Sequence, residues 1–271
     1  MFTKPHIHTQ LRQMGVSPSD TVLMHTSMKA VGEVEGRAEG FLDILIDYFA
    51  EDRLLLIPTH TWKNLGNLSE PTLDLSSSYT CIGLLPSIAA VHPMARRSMH
   101  PTHSMAAFGK RAEAYIAGEE KIDTSTHPQG CYGKLYDAGG KVLLCGVGHN
   151  RNTYLHSCEE RIGVPNRLSA DLKPSTIRMP DGKIVSHPLH CHHADGCRDV
   201  SAHYPKYEPA FRHAGAIKDG FLGNAPTQFC DCRIMCQVME RIHRMHPGEL
   251  CFDDEPLPDE LAYGKEEISK K

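Results

Sequence analysis

Lys141-Val142-Leu143-Leu144-Cys145-Gly146-Val147-Gly148-His149-Asn150-Arg151-Asn152-Thr153-Tyr154-Leu155-His156-Ser157-Cys158-Glu159-Glu160 is the stretch that decides how this chain is read. Its first five residues are mostly apolar and have the length of a buried strand. Gly146 and Gly148 turn the chain, and Asn152 or Thr153 then offers a side-chain oxygen to an orphan helix amide. With Thr153 as the cap, His156 is the third helical residue. Glu159 and Glu160 follow it at three and four positions, where helical side chains are neighbours. Strand, loop and helix in this order make the repeating unit of an α/β fold. A histidine beside a carboxylate is held in one tautomer with its protonated form stabilised, which suits removal of a proton from a nucleophile. The same spacing also occurs on the solvated face of an amphipathic helix, so spacing alone leaves both readings open.

The rest of the chain extends the pattern. Residues 4–14 read as a short amphipathic helix ending at Gly15, and residues 21–25 as a buried strand. Over 36–50 the helical period places Phe41, Leu42, Leu45, Ile46 and Phe49 on one face. A second strand is expected at 54–59, a helix at 81–91 stopped by Pro93, an apolar segment at 105–109 and a helix at 110–117. Pro180-Asp181-Gly182 marks a hairpin within 177–186, and 227–245 reads as a helix with Ile234, Met235, Val238 and Ile242 on one side. The expectation is an α/β fold: a mixed sheet flanked by helices, one large domain over 1–271 with a small C-terminal subdomain and an acidic, proline-containing tail over 247–271. In such folds ligands bind at the carboxyl ends of strands, so the loops after Met24, Ile57 and Cys145 should converge.

Composition narrows the function. The chain has 271 residues, of which 40% are hydrophobic and 23% charged, and its formal net charge of −4 gives no sign of nucleic-acid binding. No apolar run approaches the roughly 20 residues of a membrane span, and the N-terminus lacks a secretory core, so a cytoplasmic protein is expected. The ten cysteines then read as reduced thiols or, in part, metal ligands. Cys191-His192-His193, Cys197, Cys230, Cys232 and Cys236 are numerous enough for a zinc site, but their spacing fits no finger or ribbon pattern, and buried thiols with exposed histidines are the favoured reading. Cys158 and Cys145 are weaker candidates for a nucleophile, because Cys158 lies off the His156 face and Cys145 ends a strand.

Three motifs occur in order: Met24-His25-Thr26-Ser27-Met28-Lys29-Ala30-Val31-Gly32, Arg97-Ser98-Met99-His100-Pro101-Thr102-His103-Ser104, and the Gly-Val-Gly segment leading to His156 and Glu159. Together they resemble the aminoglycoside 3-N-acetyltransferase family, acetyl-CoA-dependent enzymes distinct from the GNAT superfamily. The resemblance spans about residues 5–245. It implies His156 as the catalytic base, Glu159 as its acidic partner, and Asn152 and Thr153 as active-site positions. It implies coenzyme A contacts from Thr26, Ser27, Lys29 and Val31, and from Arg97, Ser98 and Ser104. A cation and hydrogen-bond donors at a strand exit suit a phosphate-rich carrier.

The chain departs from the family pattern at Gly36-Arg37, where a glycine pair is usual, at Thr26-Ser27 in place of two serines, and at Gly130-Cys131-Tyr132-Gly133-Lys134, where a Ser-Pro is usual. The implied activity is acetyl transfer from acetyl-CoA to a small-molecule amine, foremost the 3-amino group of an aminoglycoside, with a homodimer compatible with the sequence. The alternatives are transfer to a non-antibiotic amine, or a Cys/His zinc-containing protein of the same fold.

Overall fold

The computed structural model of the chain describes residues 1–49, 54–67, 69–248 and 250–264; the last residue of the helix expected over 36–50 and residues 265–271 of the acidic tail lie outside them. The first half contains α1 (Lys4–Gln13), β1 (Thr21–Thr26), α2 (Met28–Val31), α3 (Arg37–Phe49), β2 (Leu54–Pro58), β3 (Leu73–Asp74), α4 (Leu84–Val91), β4 (Arg96–Arg97) and β5 (Met105–Phe108). The second contains α5 (Ala112–Ile116), α6 (Lys134–Asp137), β6 (Lys141–Cys145), α7 (Tyr154–Ile162), β7 (Thr176–Arg178), β8 (Ile184–Ser186), α8 (Glu208–His213), β9 (Ile217–Leu222), β10 (Ala225–Asp231), α9 (Cys232–Met245) and α10 (Asp259–Tyr263).

Among the described residues the main sheet has seven strands in the order β4-β5-β2-β1-β6-β10-β9. Its centre, β2-β1-β6, is parallel, with Leu23 opposite both Leu56 and Val142. β5 and β10 flank the centre antiparallel. β3, β7 and β8 form a smaller sheet, and the turn expected at Pro180-Asp181-Gly182 joins β7 to β8.

The central strands are buried on both faces and sort their side chains by the two-residue period. Val22, Met24, Leu55, Ile57, Leu143 and Cys145 enter one layer, beneath α1, α3 and α4. Leu23, Leu54, Leu56, Val142 and Leu144 enter the other, against α7 and α9. Each such side chain, fully withdrawn from water, contributes roughly 1.5–3 kcal/mol before chain entropy is counted. The face expected on α3 is the buried one, Phe41, Leu42, Leu45, Ile46 and Phe49. Arg37, which stands where the family pattern places its second glycine, opens α3 with φ of 59°. A side chain in that conformation costs on the order of 1 kcal/mol.

One expected element divides. Residues 227–231 are not helical but belong to β10, which pairs with β6 on one side and β9 on the other. The helix starts at Cys232, where the Asp231 carboxylate accepts the Ile234 amide. Leu222-Gly223-Asn224-Ala225 is a two-residue hairpin signal, and Gly223 carries the positive φ, 60°, that such a turn requires. The alternating burial of 225–231 is strand-like, so the helical face that begins at Ile234 does not extend back across it.

Candidate active site

β1, β2 and β6 end side by side, and the loops leaving them meet as expected at a cavity of about 710 Å³. Thr26, Pro58, His60 and Val147 line it from the strand ends, Asn152, Thr153 and His156 from the entry to α7, and residues 191–201 from the opposite wall. Gly146 makes the β6 exit possible: its φ is 67°, and a Cβ there would lie 2.4 Å from the Ala30 Cβ.

His156 sits on the first turn of α7. Neither expected cap acts through its side chain. Thr153 has helical φ and ψ and makes no capping bond, while Asn152 donates Nδ2 to His149 Nδ1 at 3.2 Å. A short 3-10 turn over His149–Arg151 leads the chain into the helix instead.

Glu159 is the partner of His156, but not by direct contact. Its Oε2 lies 3.6 Å from His156 Nδ1, too far for a hydrogen bond. The Tyr204 hydroxyl stands between them, 2.6 Å from each. Burial, reinforced by the Glu159 charge, pushes the Tyr204 phenol well above its ordinary value, so it remains protonated. A phenol has one proton; donating it to the carboxylate leaves its oxygen to accept Nδ1–H from His156. That hydrogen-bond network assigns the tautomer and leaves Nε2 with a lone pair and no partner among the described residues.

Arg167 completes the chain by donating Nε to Glu159 Oε1 at 2.9 Å. Burial alone would raise the Glu159 carboxyl, but the nearby His156 charge, the Arg167 guanidinium and the Tyr204 hydroxyl outweigh it and hold the group below its usual range. Residue spacing pointed to neither Tyr204 nor Arg167. Tyr204 lies 48 positions from His156, and no local pattern marks it.

The other sequence candidates separate into two groups. Thr26 lines the cavity, and its buried Oγ1 has no hydrogen-bond partner among the described residues. Asn152 Oδ1 is buried without a partner as well. Ser27 instead caps α2, accepting the Ala30 amide at 3.4 Å. Lys29 is exposed and Val31 fully buried.

Arg97 does not face the cavity. Its guanidinium donates to the carbonyls of Asp74, Ser77 and Thr59 and to Ser104 Oγ. Ser104 donates to the Thr59 carbonyl and Ser98 accepts the Met105 amide, both fully buried. These three residues brace the sheet edge, and the structure does not bring them to His156. The departure at Gly130–Lys134 lies under the cavity floor: the Cys131 amide donates to Glu119, and the Tyr132 hydroxyl meets His60 Nε2 at 2.6 Å.

The cysteine and histidine positions also disperse. Cys230, Cys232 and Cys236 are buried in the core, whereas Cys191, His192 and Cys197 line the cavity. Among the described residues no group of three or more His, Cys, Asp or Glu side chains is placed to hold a metal ion. Burial raises the Cys145 thiol to about 12, and burial with the neighbouring Cys236 raises Cys158 well above its ordinary value. Neither sulfur is a ready nucleophile.

The chain's similarities to known proteins agree with this geometry. The family model for aminoglycoside 3-N-acetyltransferase matches residues 23–244. Aminoglycoside N(3)-acetyltransferase III of Serratia marcescens is 30% identical over 254 residues, covering 84% of this chain and 91% of that protein. The solved structure of aminoglycoside acetyltransferase AAC(3)-IIb superposes with a TM-score of 0.77 at 25% identity, covering 91% of this chain and 98% of the other. AAC-IIIb, solved as a binary complex with CoASH, superposes with a TM-score of 0.73 at 20% identity, over 86% of this chain and 93% of its own. Matched by the family model over residues 23–244 and by a relative 30% identical across 84% of its length, the chain belongs to the aminoglycoside 3-N-acetyltransferase family.

Proposed function

We propose that His156 is the general base of an acetyl transfer from acetyl-CoA to the 3-amino group of an aminoglycoside. The family membership carries the reaction class: the protein is an acetyl-CoA-dependent acyltransferase. One observation carries the base: His156 Nδ1 is committed to Tyr204 and Glu159, while Nε2 is open on a ring that lines the cavity. As the amine nitrogen attacks the thioester carbonyl, Nε2 takes its proton and later returns it to the departing sulfur. The charge that forms on the ring is stabilised through the Tyr204 hydroxyl by Glu159, which Arg167 holds in place. A base positioned this way contributes roughly 10²- to 10⁴-fold. Thr26 Oγ1, a buried hydroxyl without a partner in the cavity wall, supports a role in receiving the oxyanion. Ser27, engaged in capping α2, is the poorer candidate.

Asn152 and Thr153 border the same cavity and support placement of the acceptor. For the carrier, Thr26 and Val147, which line the cavity at the strand ends, are the better-supported contacts. Arg97, Ser98 and Ser104 are reassigned to bracing. The ten cysteines are unpaired thiols, which supports a reducing, cytoplasmic location.

A second reading has an observation in its favour. Among the described residues lining the cavity, Asp199 is the sole carboxylate, beside Arg151, Arg167 and Arg198. That charge balance suits an amine with fewer ammonium groups than an aminoglycoside carries. Thiol release from acetyl-CoA, measured with aminoglycosides and with monoamines, tests both, and mass spectrometry of the product locates the acetyl group. Release with an aminoglycoside and acetylation at its 3-amino group supports the first reading; release with monoamines alone supports the second. No release with either overturns the acetyl-transfer reading.

A further inference from the structure

α7 carries two adjacent carboxylates, and successive helical side chains point about 100° apart. Glu159 reaches His156 through the Tyr204 hydroxyl. Glu160 turns the other way and does the same for a second histidine. Thr126 donates its hydroxyl to Glu160 Oε1 at 2.6 Å, and the Thr126 oxygen lies 3.1 Å from His192 Nε2, placed to accept its proton. The Thr124 hydroxyl and the Thr126 amide also donate to Glu160, at 2.5 and 3.0 Å. The two imidazoles stack at 4.1 Å between centroids with their planes 27° apart, and both line the cavity. Each ring therefore has one nitrogen tied to its own glutamate, His156 through the Tyr204 hydroxyl and His192 both through the Thr126 hydroxyl and by a direct contact of 3.4 Å from Nε2 to Glu160 Oε1. The other nitrogen, Nε2 of His156 and Nδ1 of His192, has no partner among the described residues.

The reaction requires two proton removals. An acceptor amine arrives at neutral pH as R–NH₃⁺ and leaves as R–NH–CO–CH₃. With acetyl-CoA it yields CoA–SH and one released proton, so one proton goes to sulfur and one to solvent. We infer that His192 is a second catalytic base, whose Nδ1 takes the first proton from the docked ammonium so that His156 can take the second as the C–N bond forms and the C–S bond breaks. The inference rests on the acetyl-transfer reading with His156 as base.

Two imidazolium rings at stacking distance repel, so His192 passes its proton to solvent before His156 becomes charged. Its side chain keeps 20% of its surface exposed, which gives that proton an exit. The charged and titratable groups around it are consistent with this order. His156, Glu159 and Glu160 face it from α7, and His103 packs on it with ring centroids 5.1 Å apart. His60 and His100 stand behind His103, and Arg167, paired with Glu159, lies on the neighbouring segment. Burial lowers His192, and the His156 charge lowers it further, against the opposing pull of Glu160. Burial opposes ionisation of Glu160, but the hydrogen bonds and charge of His192, with Thr124 and Thr126, bring that carboxyl to about 2. The carboxylate is therefore ionised at neutral pH.

The test is the pH profile of kcat/KM for His192→Gln, with thiol release as the readout. Two acceptors are compared: the best one found for the wild type, and its analogue with a fluorine beside the reacting amine to bring that amine's pKa near neutrality. With the ordinary acceptor at pH 7 the variant is expected to fall about 10²-fold. The loss should close as pH rises towards the amine's pKa, and with the fluorinated acceptor it should shrink to about threefold. An equal loss at every pH and with both acceptors is the signature of a structural role and overturns the inference, as does no loss at all. Should His192→Gln fail to fold, Thr126→Val removes the hydroxyl link alone and is expected to give a smaller deficit with the same alkaline recovery; its absence overturns the inference equally. Failure of the underlying reading is separate, because the wild type would then release no thiol with either acceptor.

Discussion

In residues 149–163 the polar side chains of the motif end at a cavity; in residues 96–104 they end at backbone carbonyls and amides. Both segments carry the marks that the family resemblance assigns to a site. His156 keeps an open nitrogen and Asn152 a buried oxygen without a partner. Arg97 has its guanidinium distributed over three carbonyls and a serine hydroxyl, and Ser98 and Ser104 are equally engaged. Buried polar groups are normally satisfied, so an unsatisfied one at a cavity wall is the informative exception. A motif's polar residues therefore divide by what the fold leaves unbonded, not by residue type.

That division can be broken by experiment. The largest effect is expected for His156→Ala: kcat should fall by roughly 10²- to 10⁴-fold. Coenzyme A binding, followed by calorimetry, and the urea midpoint should stay close to wild type. A variant that keeps its turnover, or loses the carrier, removes the base assignment.

Acid affects the cavity wall and the bracing segment alike, since each has a histidine buried in its neutral form. Burial brings His25, at the cavity wall, and His100, in the bracing segment, to about 3. In the unfolded chain both titrate near 6.5, so between about 6.5 and 3 the unfolded state holds more protons and stability falls as pH falls. Each contributes about 2 kcal/mol of loss by pH 5, or about 4 kcal/mol together. Urea unfolding at pH 7 and pH 5 measures this; equal stabilities at the two values would show that these rings are not neutral in the fold.

The smallest effect should come from Arg97→Met. It strands the carbonyls that the guanidinium serves and should cost about 3 kcal/mol of stability. The kcat of the folded variant should change little. A kcat loss comparable to that of His156→Ala would return Arg97 to the site and erase the contrast between the segments.

Much of the fold was legible because its signals are local. The apolar runs at β1, β2 and β6, the one-sided α3 and the Pro-Asp-Gly turn all read correctly from neighbouring residues. β10 is where local periodicity misleads: the face that starts at Ile234, carried back to residue 227, predicts helix where the chain forms a strand after the Gly223-Asn224 turn. The convergence of three loops followed from a general rule about parallel sheets. The site was legible only in part. His156 and Glu159 stand three residues apart and were found together, but the hydroxyl that joins them comes from Tyr204 and the cation that anchors them from Arg167, both from segments whose spacing carries no mark.

By itself, the sequence determined the central strands and most of the flanking helices, which of their faces are apolar, and that a histidine and two carboxylates share one helix. Periodicity and short-range steric preference govern those features, and they act within a few residues. Only the tertiary structure decided that Glu159 is linked to His156 and Glu160 to His192, and that the Arg97 guanidinium is bonded to backbone carbonyls. Those roles depend on which hydroxyls, carbonyls and rings from distant segments come within 3 Å or so, the reach of a hydrogen bond. Chain folding sets such distances, and residue order does not.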